Sequence, residues 1–178
     1  WRHYIDLVVR KPGALRNGAP FTALPEVLQT LQRHLLRHAG GDRVMAQVLA
    51  VVDSALVAIS RVDFVAFTAL MLDSAVMFSG GERDGRPWVA FRSRAEQRAG
   101  QSDGGFTERG FNPQVLIAGP LATVWLPYDF YLDGAWSHCG VDAFTLLKTE
   151  EGWRIATLVW SVEQPPACAP HPEGPPSR

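Results

Sequence analysis

Three ionisable side chains, Asp129, His138 and Asp142, lie in a stretch that is otherwise rich in Phe, Tyr and Trp, YDFYLDGAWSHCGVDAF at 128–144. A carboxylate that faces a histidine can hold one imidazole tautomer and raise the basicity of the ring, as a general base requires near neutral pH. Desolvation by aromatic neighbours would raise the pKa of Asp142 and make it a candidate acid. The stretch therefore predicts acid–base chemistry or polar orientation of a bound molecule.

A two-residue turn at 133–134 would bring these groups together, because Asp-Gly turns fix the register of a hairpin. In that register Asp129 lies opposite His138, and Trp125 lies opposite Asp142. Side chains alternate along a strand, so one face is shared by the whole set. The predicted interior face carries the catalytic pair Asp129 and His138 and the ligand-binding residues Trp125, Tyr131, Trp136, Asp142 and Phe144. A one-residue error in the turn would reverse this assignment.

Three interpretations of the Asp129–His138 pair stay open. It could act as a general base, orient a ligand without chemistry, or stabilise the sheet as a hydrogen-bonded pair. His138 has no companion ligand set around it in sequence, so we expect no metal. Nothing in the sequence indicates a cofactor either.

The opposite face of the same strands is also apolar. It is predicted to carry Val124, Leu126, Tyr128, Phe130, Leu132, Val141, Leu147, Leu158, Trp160 and Val162. Monomers rarely expose apolar patches beyond a few hundred Å², so we expect a homodimer through this outer sheet face. The alternative cover is a helix over 24–37, whose single apolar stripe is narrow for so broad a surface.

The elements that must position these residues follow from the spacing of apolar residues. Intervals of three and four predict helices, with a stop at Gly40-Gly41, and alternation predicts strands. Ser93-Arg94-Ala95-Glu96 spells a capping box, which starts a short helix. The predicted helices lie at 24–37, 42–59 and 63–72, and the predicted strands lie at 75–78, 87–91 and from 106 onward, with a last turn at 151–152.

The composition is that of a globular protein, with 178 residues, 47% hydrophobic and 20% charged. A net charge of −1 excludes strong global attraction to nucleic acid or to acidic membranes. Cys139 and Cys168 form a poor disulfide framework, so we expect reduced thiols and a cytoplasmic location. Six prolines lie in the last fourteen residues, and a disordered tail is predicted over 165–178.

The order of elements, together with AISRVDF and FYLDGAWSHCGVDAFTLLKTEEGWRIA, resembles the nuclear transport factor 2-like superfamily, and within it the SnoaL-like and lumazine-binding-like proteins. The resemblance covers about 50–163. It implies an α+β, cystatin-like cone fold, in which helices wrap a strongly curved antiparallel sheet around one deep pocket. It implies no single chemistry, because the superfamily includes isomerases, dehydratases, hydrolases, cyclases and binding modules.

The first part of the chain resembles a different family. RHYI, RKPGALRNGAPF and GGDRVMAQVLAVV are similar to the C-terminal segment of IstA-type insertion-sequence transposases, over about 1–52. The catalytic core of that family lies upstream of this segment. The resemblance implies a transposase remnant, whose basic residues Arg10, Lys11 and Arg16 could contact DNA weakly.

Three regions are therefore predicted: an N-terminal strand, loop and helix extension at 1–41, a cone domain at 42–164 and the tail at 165–178. We expect the cone to bind a small apolar or aromatic ligand, with proton transfer or hydrolysis as an option. The alternative is a non-catalytic remnant of a transposase fusion with weak DNA binding. The sequence leaves open whether the domain is an enzyme, and no membrane partner is expected.

Overall fold

The computed structural model describes residues 24–164 and 166–176, with side chains from Gly40 onward. The chain forms two compact units, Trp1–Arg43 and Val44–Arg178. The strand and loop predicted before Leu24, including Arg10, Lys11 and Arg16, lie outside the described residues. The second unit contains the sheet and the cavity described below.

The first helix, α1, runs from Leu24 to Ser60. The prediction of a stop at Gly40-Gly41 is wrong, because the helix continues through both glycines. Glycine lowers helix propensity by only about 1 kcal/mol per residue relative to Ala, and neighbouring turns can offset that cost. Although Gly40–Ser60 is long and apolar enough to cross a membrane, Val48 and Val52 of this segment are buried in the core.

Two short helices follow, and both are set by their capping residues. In α2, Phe64–Ala69, the Asp63 carboxylate accepts a hydrogen bond of 2.8 Å from the Ala66 amide. In α3, Arg94–Ala99, the Ser93 hydroxyl accepts from the Glu96 amide, and the Glu96 carboxylate accepts from the Ser93 amide. The predicted capping box is therefore confirmed.

Among the described residues, seven strands form one curved sheet. They are β1 Met71–Arg83, β2 Arg86–Ser93, β3 Phe106–Gly110, β4 Gln114–Ala118, β5 Leu121–Leu132, β6 Ala135–Thr149 and β7 Gly152–Val162. The order is β2-β1-β7-β6-β5-β3, and β4 also pairs with β5. The α+β class is confirmed, but the sheet is mixed rather than antiparallel, because β1 and β7 run parallel.

The core lies between the sheet and the helices. Its buried residues come from α1, α2 and the inner face of the strands, and they include Val48, Val52, Phe67, Met77, Val124, Phe144 and Leu158. Val124, Leu126 and Tyr128 are almost completely buried on this face. The prediction that these three residues belong to an outer, dimer-forming face is therefore wrong.

A bulge in β6 causes that error. The Asp133-Gly134 turn forms as predicted, with positive φ angles of 51° and 77°. Ser137 then has no partner on β5, so Phe130 rather than Asp129 pairs with His138. An extra residue on one strand shifts every later pair by one position. As a result Asp129 pairs with Cys139, and β5 presents the opposite face to the one expected.

The second predicted register is also displaced. Thr149 pairs with Gly152, so the two-residue turn lies at 150–151 rather than at 151–152. A register shift between Thr145 and Leu146 leaves Ala156 unpaired. Asp142 consequently pairs with Trp160, which brings the Trp160 side chain to the inner face beside the carboxyl group.

The C-terminal segment differs from the predicted disordered tail and the predicted free thiols. Cys139 and Cys168 form a disulfide across the outer face of the sheet. The His171 amide donates to the Asp129 carboxylate at 2.9 Å, and the His171 ring packs edge-on against Phe111. Residues 166–176 are thus attached to the sheet, and the argument from reduced thiols to a cytoplasmic location no longer holds.

Cys168→Ser tests how much this cross-link contributes to stability. The disulfide joins residues 29 positions apart, and loop-closure entropy for such a loop stabilises the folded state by about 3 kcal/mol. We expect the variant to lose about that free energy of unfolding in urea. Reductant should destabilise the wild type equally and leave the variant unchanged; equal stability of wild type and variant without reductant would contradict the linkage.

Candidate functional site

A cavity of about 460 Å³ lies between the inner face of the sheet and the short helices. Most of its wall is aromatic or aliphatic, and a few polar groups point into it. The apolar lining comes from Ile59, Phe64, Phe67, Met77, Phe106, Phe130, Leu158 and Trp160, and the polar lining includes Arg92, Glu96, Gln97, Glu108, Tyr128, His138 and Asp142. Such a wall is typical of sites that bind small organic molecules.

The carboxyl groups of Glu108 and Asp142 both line this cavity, close enough for one to share a proton with the other. Asp142 is only 2% exposed, and no N–H or O–H group within the described residues donates to its Oδ2 atom. Burial raises the pKa of Glu108 to about 7 and raises that of Asp142 well above its usual range, where Glu108 adds like-charge repulsion. The pair therefore retains a proton at neutral pH.

Glu108 is held in place by its own backbone. The Ser60 hydroxyl, at the end of α1, accepts from the Glu108 amide at 2.9 Å and donates to the Glu108 carbonyl at 3.3 Å. Protein atoms surround the carboxyl group, although the cavity leaves part of the side chain accessible to a small molecule. Asp142 is fixed by the pairing of β6 with both β5 and β7.

His138 lies in the same cavity as the carboxyl pair. Its ring stacks on Phe130 with centroids 4.8 Å apart, and its Nδ1 atom is 3.0 Å from the Ser137 hydroxyl. Burial lowers the pKa of His138, so the ring is neutral near pH 7. Tyr128 donates its hydroxyl proton to the Ser161 carbonyl at 2.8 Å, and burial raises its pKa.

The charged side chains at the rim compensate each other. Arg92 donates to the Gln97 side-chain oxygen at 2.7 Å, and both residues line the cavity, Arg92 from an exposed position and Gln97 from a buried one. The hydrogen bonds from Ser93, with a smaller contribution from the charge of Arg92, lower the pKa of Glu96, which is therefore ionised. The rim thus carries one positive and one negative charge, while the interior carries the carboxyl pair.

Asp129, the predicted catalytic carboxylate, is on the other side of the sheet. It is fully buried there and accepts two hydrogen bonds from Arg109, at 3.0 Å and 2.5 Å, and one from the His171 amide. The pairing with His138 is therefore wrong, and the reason is the Ser137 bulge. Asp129 thus links the sheet to the C-terminal segment through Arg109 and the His171 amide, and it does not line the cavity.

The other predicted ligand-binding residues divide between the two faces. His138 and Asp142 line the cavity as expected, and Phe144 is fully buried in the core on the same face. Trp125, Tyr131 and Trp136 lie on the outer side, with Trp125 51% exposed and Trp136 38% exposed. Their assignment to the interior is wrong.

Sequence reasoning missed Glu108, Tyr128, Phe130 and Trp160. Three of these lie on β5 and β7, whose inner and outer faces the sequence analysis exchanged. Glu108 lies on β3, which pairs with β5 through non-local contacts. The one available signal was the alternation in FTERGF, where Phe106 and Glu108 share a face.

The pH dependence of stability tests whether the carboxyl pair is protonated. A carboxyl group with a raised pKa binds its proton more tightly in the folded state than in the unfolded state, so its contribution is complete below about pH 4.5 and is lost as the pH rises through about 7. The rise in the pKa of Glu108 from 4.5 to about 7 corresponds to a loss of unfolding free energy on the order of 3 kcal/mol at high pH. Glu108→Gln should be more stable than wild type at pH 8 by a larger margin than at pH 5, as measured by urea denaturation. A margin that does not change with pH would refute the shared proton.

Comparisons with known proteins agree with this architecture. Residues 48–165 match the family model described as the SnoaL-like domain. A nuclear transport factor 2-like superfamily protein from Salmonella enterica superposes with a TM-score of 0.58 at 16% identity, covering 71% of this chain and 95% of that one. A nuclear transport factor 2-like protein with a cystatin-like fold from Novosphingobium aromaticivorans gives 0.56 at 16% identity, covering 85% and 95%. These similarities establish the fold.

A second similarity concerns a shorter segment. Over 52 residues the chain is 64% identical to a transposase from Aminobacter aminovorans and 54% identical to the transposase for insertion sequences IS1326/IS1353 from Pseudomonas aeruginosa. The match covers 29% of this chain and only 10% of each transposase. The chain thus contains a piece that is similar to a small part of those proteins, and both resemblances expected from the sequence are confirmed.

Proposed function

This chain belongs to the SnoaL-like domain family, and we propose that its 44–178 unit binds a small apolar or aromatic molecule in the cavity between helices and sheet. The observation that carries the proposal is the combination of an aromatic wall with a buried polar atom, Asp142 Oδ2, that has no donor within the described residues. An unpaired buried polar atom costs about 1–3 kcal/mol, and a ligand group could remove that cost.

Proton transfer is the chemistry that the site supports as a second candidate. A carboxyl pair that shares a proton near neutral pH can give or accept one without large pH changes. Neutral His138 lies in the same cavity and could accept a proton. The pair Glu108 and Asp142 thus takes the role that the sequence assigned to Asp129 and His138.

Phe130→Ala tests ligand binding in the cavity. Phe130 is part of the wall and stacks on His138, and an aromatic contact contributes about 0.5–1.5 kcal/mol beyond its buried area. For a hit from a thermal-shift screen of aromatic compounds, we expect the variant to bind about tenfold more weakly in calorimetry. Leu116→Ala, which shortens an exposed side chain that belongs to neither the cavity wall nor the outer-face row, is the control. A screen without hits, or equal effects of the two variants, would contradict the proposal.

We also propose a homodimer through the outer sheet face, with residues that differ from the predicted ones. Side chains that are register neighbours across five strands form one apolar row on this face, Trp125, Ala143, Val159, Phe78 and Phe91. Trp125 and Phe91 are 51% and 58% exposed. A second copy of the row could cover it, as closed symmetric dimers allow.

Trp125→Glu tests this dimer. A charge placed at the Trp125 end of the row would be buried without a partner in the complex, which disfavours association. We expect a sedimenting dimer for the wild type at micromolar concentration and a folded monomer for Trp125→Glu. Trp160, which the sequence placed on the outer face, lines the cavity, so Trp160→Glu would place a charge there instead. A wild-type monomer at that concentration would reject the proposal.

DNA binding and a cytoplasmic location remain predictions. DNA binding through Arg10, Lys11 and Arg16 concerns residues outside the described part of the chain, and its motivation is the transposase similarity and the local basic charge. A cytoplasmic location is the other, and the Cys139–Cys168 disulfide is more typical of oxidising compartments.

A further inference from the structure

The carboxyl pair in the cavity has no cationic partner among the described residues. Arg109 is on the outer face and binds Asp129. Arg94 donates to the Thr68 carbonyl and contacts Asp73, away from the carboxyl pair. Arg92 lines the opening, where Gln97 accepts its hydrogen bond and ionised Glu96 balances its charge.

Buried carboxyl groups are normally matched by a cation, a metal or several N–H donors, since an isolated charge in a low-dielectric site is costly. Here a proton takes that place, because Asp142 can donate its carboxyl proton to Glu108, and no described N–H or O–H group lies within hydrogen-bond distance of Asp142 Oδ2. With that proton directed at Glu108, Oδ2 is left as an acceptor, so the group that completes the site donates a hydrogen bond to it. A ligand that carries both a positive charge and N–H donors meets both requirements.

The wall around the pair favours the same kind of group. Phe106, Phe130, Tyr128 and Trp160 line the cavity together with Glu108 and Asp142. Aromatic faces attract cations, and the attraction is stronger where the cation is desolvated. An ammonium group attached to an apolar body would therefore be stabilised by the carboxyl pair and the rings together.

We propose, on the basis of the proposed function, that the ligands of this cavity are hydrophobic organic amines bound as ammonium ions, with the ammonium group held by Glu108 and Asp142. One carboxyl group ionises when the ammonium group binds and the other keeps its proton, so the charge of the occupied site is balanced. The apolar body of the amine packs against the aromatic wall.

This arrangement gives a defined pH dependence. The ionisable groups that face the pair are His138, Tyr128, Arg92 and Glu96. Between pH 6 and pH 8 Tyr128 stays neutral and Glu96 stays ionised, because the pKa of each is shifted away from this range, and burial lowers the pKa of His138, which favours the neutral ring. Glu108, with a pKa of about 7, titrates in the middle of this range. Affinity for an ammonium ligand should rise about tenfold over this range.

Three probes on one scaffold separate charge from shape: naphthylmethylammonium, naphthylmethanol and naphthoate. We expect the ammonium probe to bind at least tenfold more tightly than the alcohol at pH 8 in calorimetry, the carboxylate to bind most weakly, and only the ammonium affinity to rise with pH. Glu108→Gln should reduce the ammonium affinity to that of the alcohol. Glu151→Gln, which makes the same change on an exposed turn, should have no effect.

The outcomes distinguish this proposal from the one on which it rests. If the alcohol binds as tightly as the ammonium probe, or if Glu108→Gln leaves the preference unchanged, the amine proposal is wrong while small-molecule binding stands. If no probe binds and the aromatic screen has no hits, both are wrong. Because Glu108 is the group that ionises, Asp142→Asn should keep the preference for the ammonium probe at pH 8. If Glu108→Gln fails to fold, the wild type alone carries the test, and an equal pH dependence of all three probes would overturn the amine proposal.

Discussion

The bulge at Ser137 determines which ionisable groups share the cavity. Without it, Asp129 would face His138 and the structure would contain a carboxylate–imidazole pair. With it, Phe130 takes the place opposite His138, and Asp129 is on the outer face. The inner face then combines His138, Asp142 and the β5 side chains Tyr128 and Phe130, while Asp129 binds Arg109 and the C-terminal segment.

The same bulge explains why the two faces have different chemistry. On the inner side, Asp142 shares the cavity with another acid, Glu108, so protonation replaces ion pairing. On the outer side, Asp129 has a bidentate arginine and a backbone donor, so its charge is stabilised. Two aspartates thirteen positions apart thus differ in function because of their environments rather than their identity. Asp142 is available to a ligand in the cavity, and Asp129 anchors the C-terminal segment to the sheet.

The sequence was informative where the determining contacts are local. The Asp133-Gly134 turn and the Ser93–Glu96 capping box could be predicted because each depends on residues within four positions. Alternation also identified His138, Asp142 and Phe144 as one set. The predicted pairing register between neighbouring strands was wrong, because Ser137 has no local sequence feature that marks a bulge. Glu108 reaches Asp142 through strand pairing, and the Cys139–Cys168 disulfide joins distant positions, so neither followed from local pattern. Gly40-Gly41 shows the opposite error, a local stop signal that did not end the helix.

The central claim is that Glu108 and Asp142 share a proton in the cavity at neutral pH. Its most direct test is a carboxyl carbon NMR titration of the folded protein, with the two resonances assigned by Glu108→Gln and Asp142→Asn. The account predicts that Glu108 titrates near pH 7 and that Asp142 remains protonated above its usual range. Two independent titrations near the usual carboxyl pKa, about 4, would contradict it.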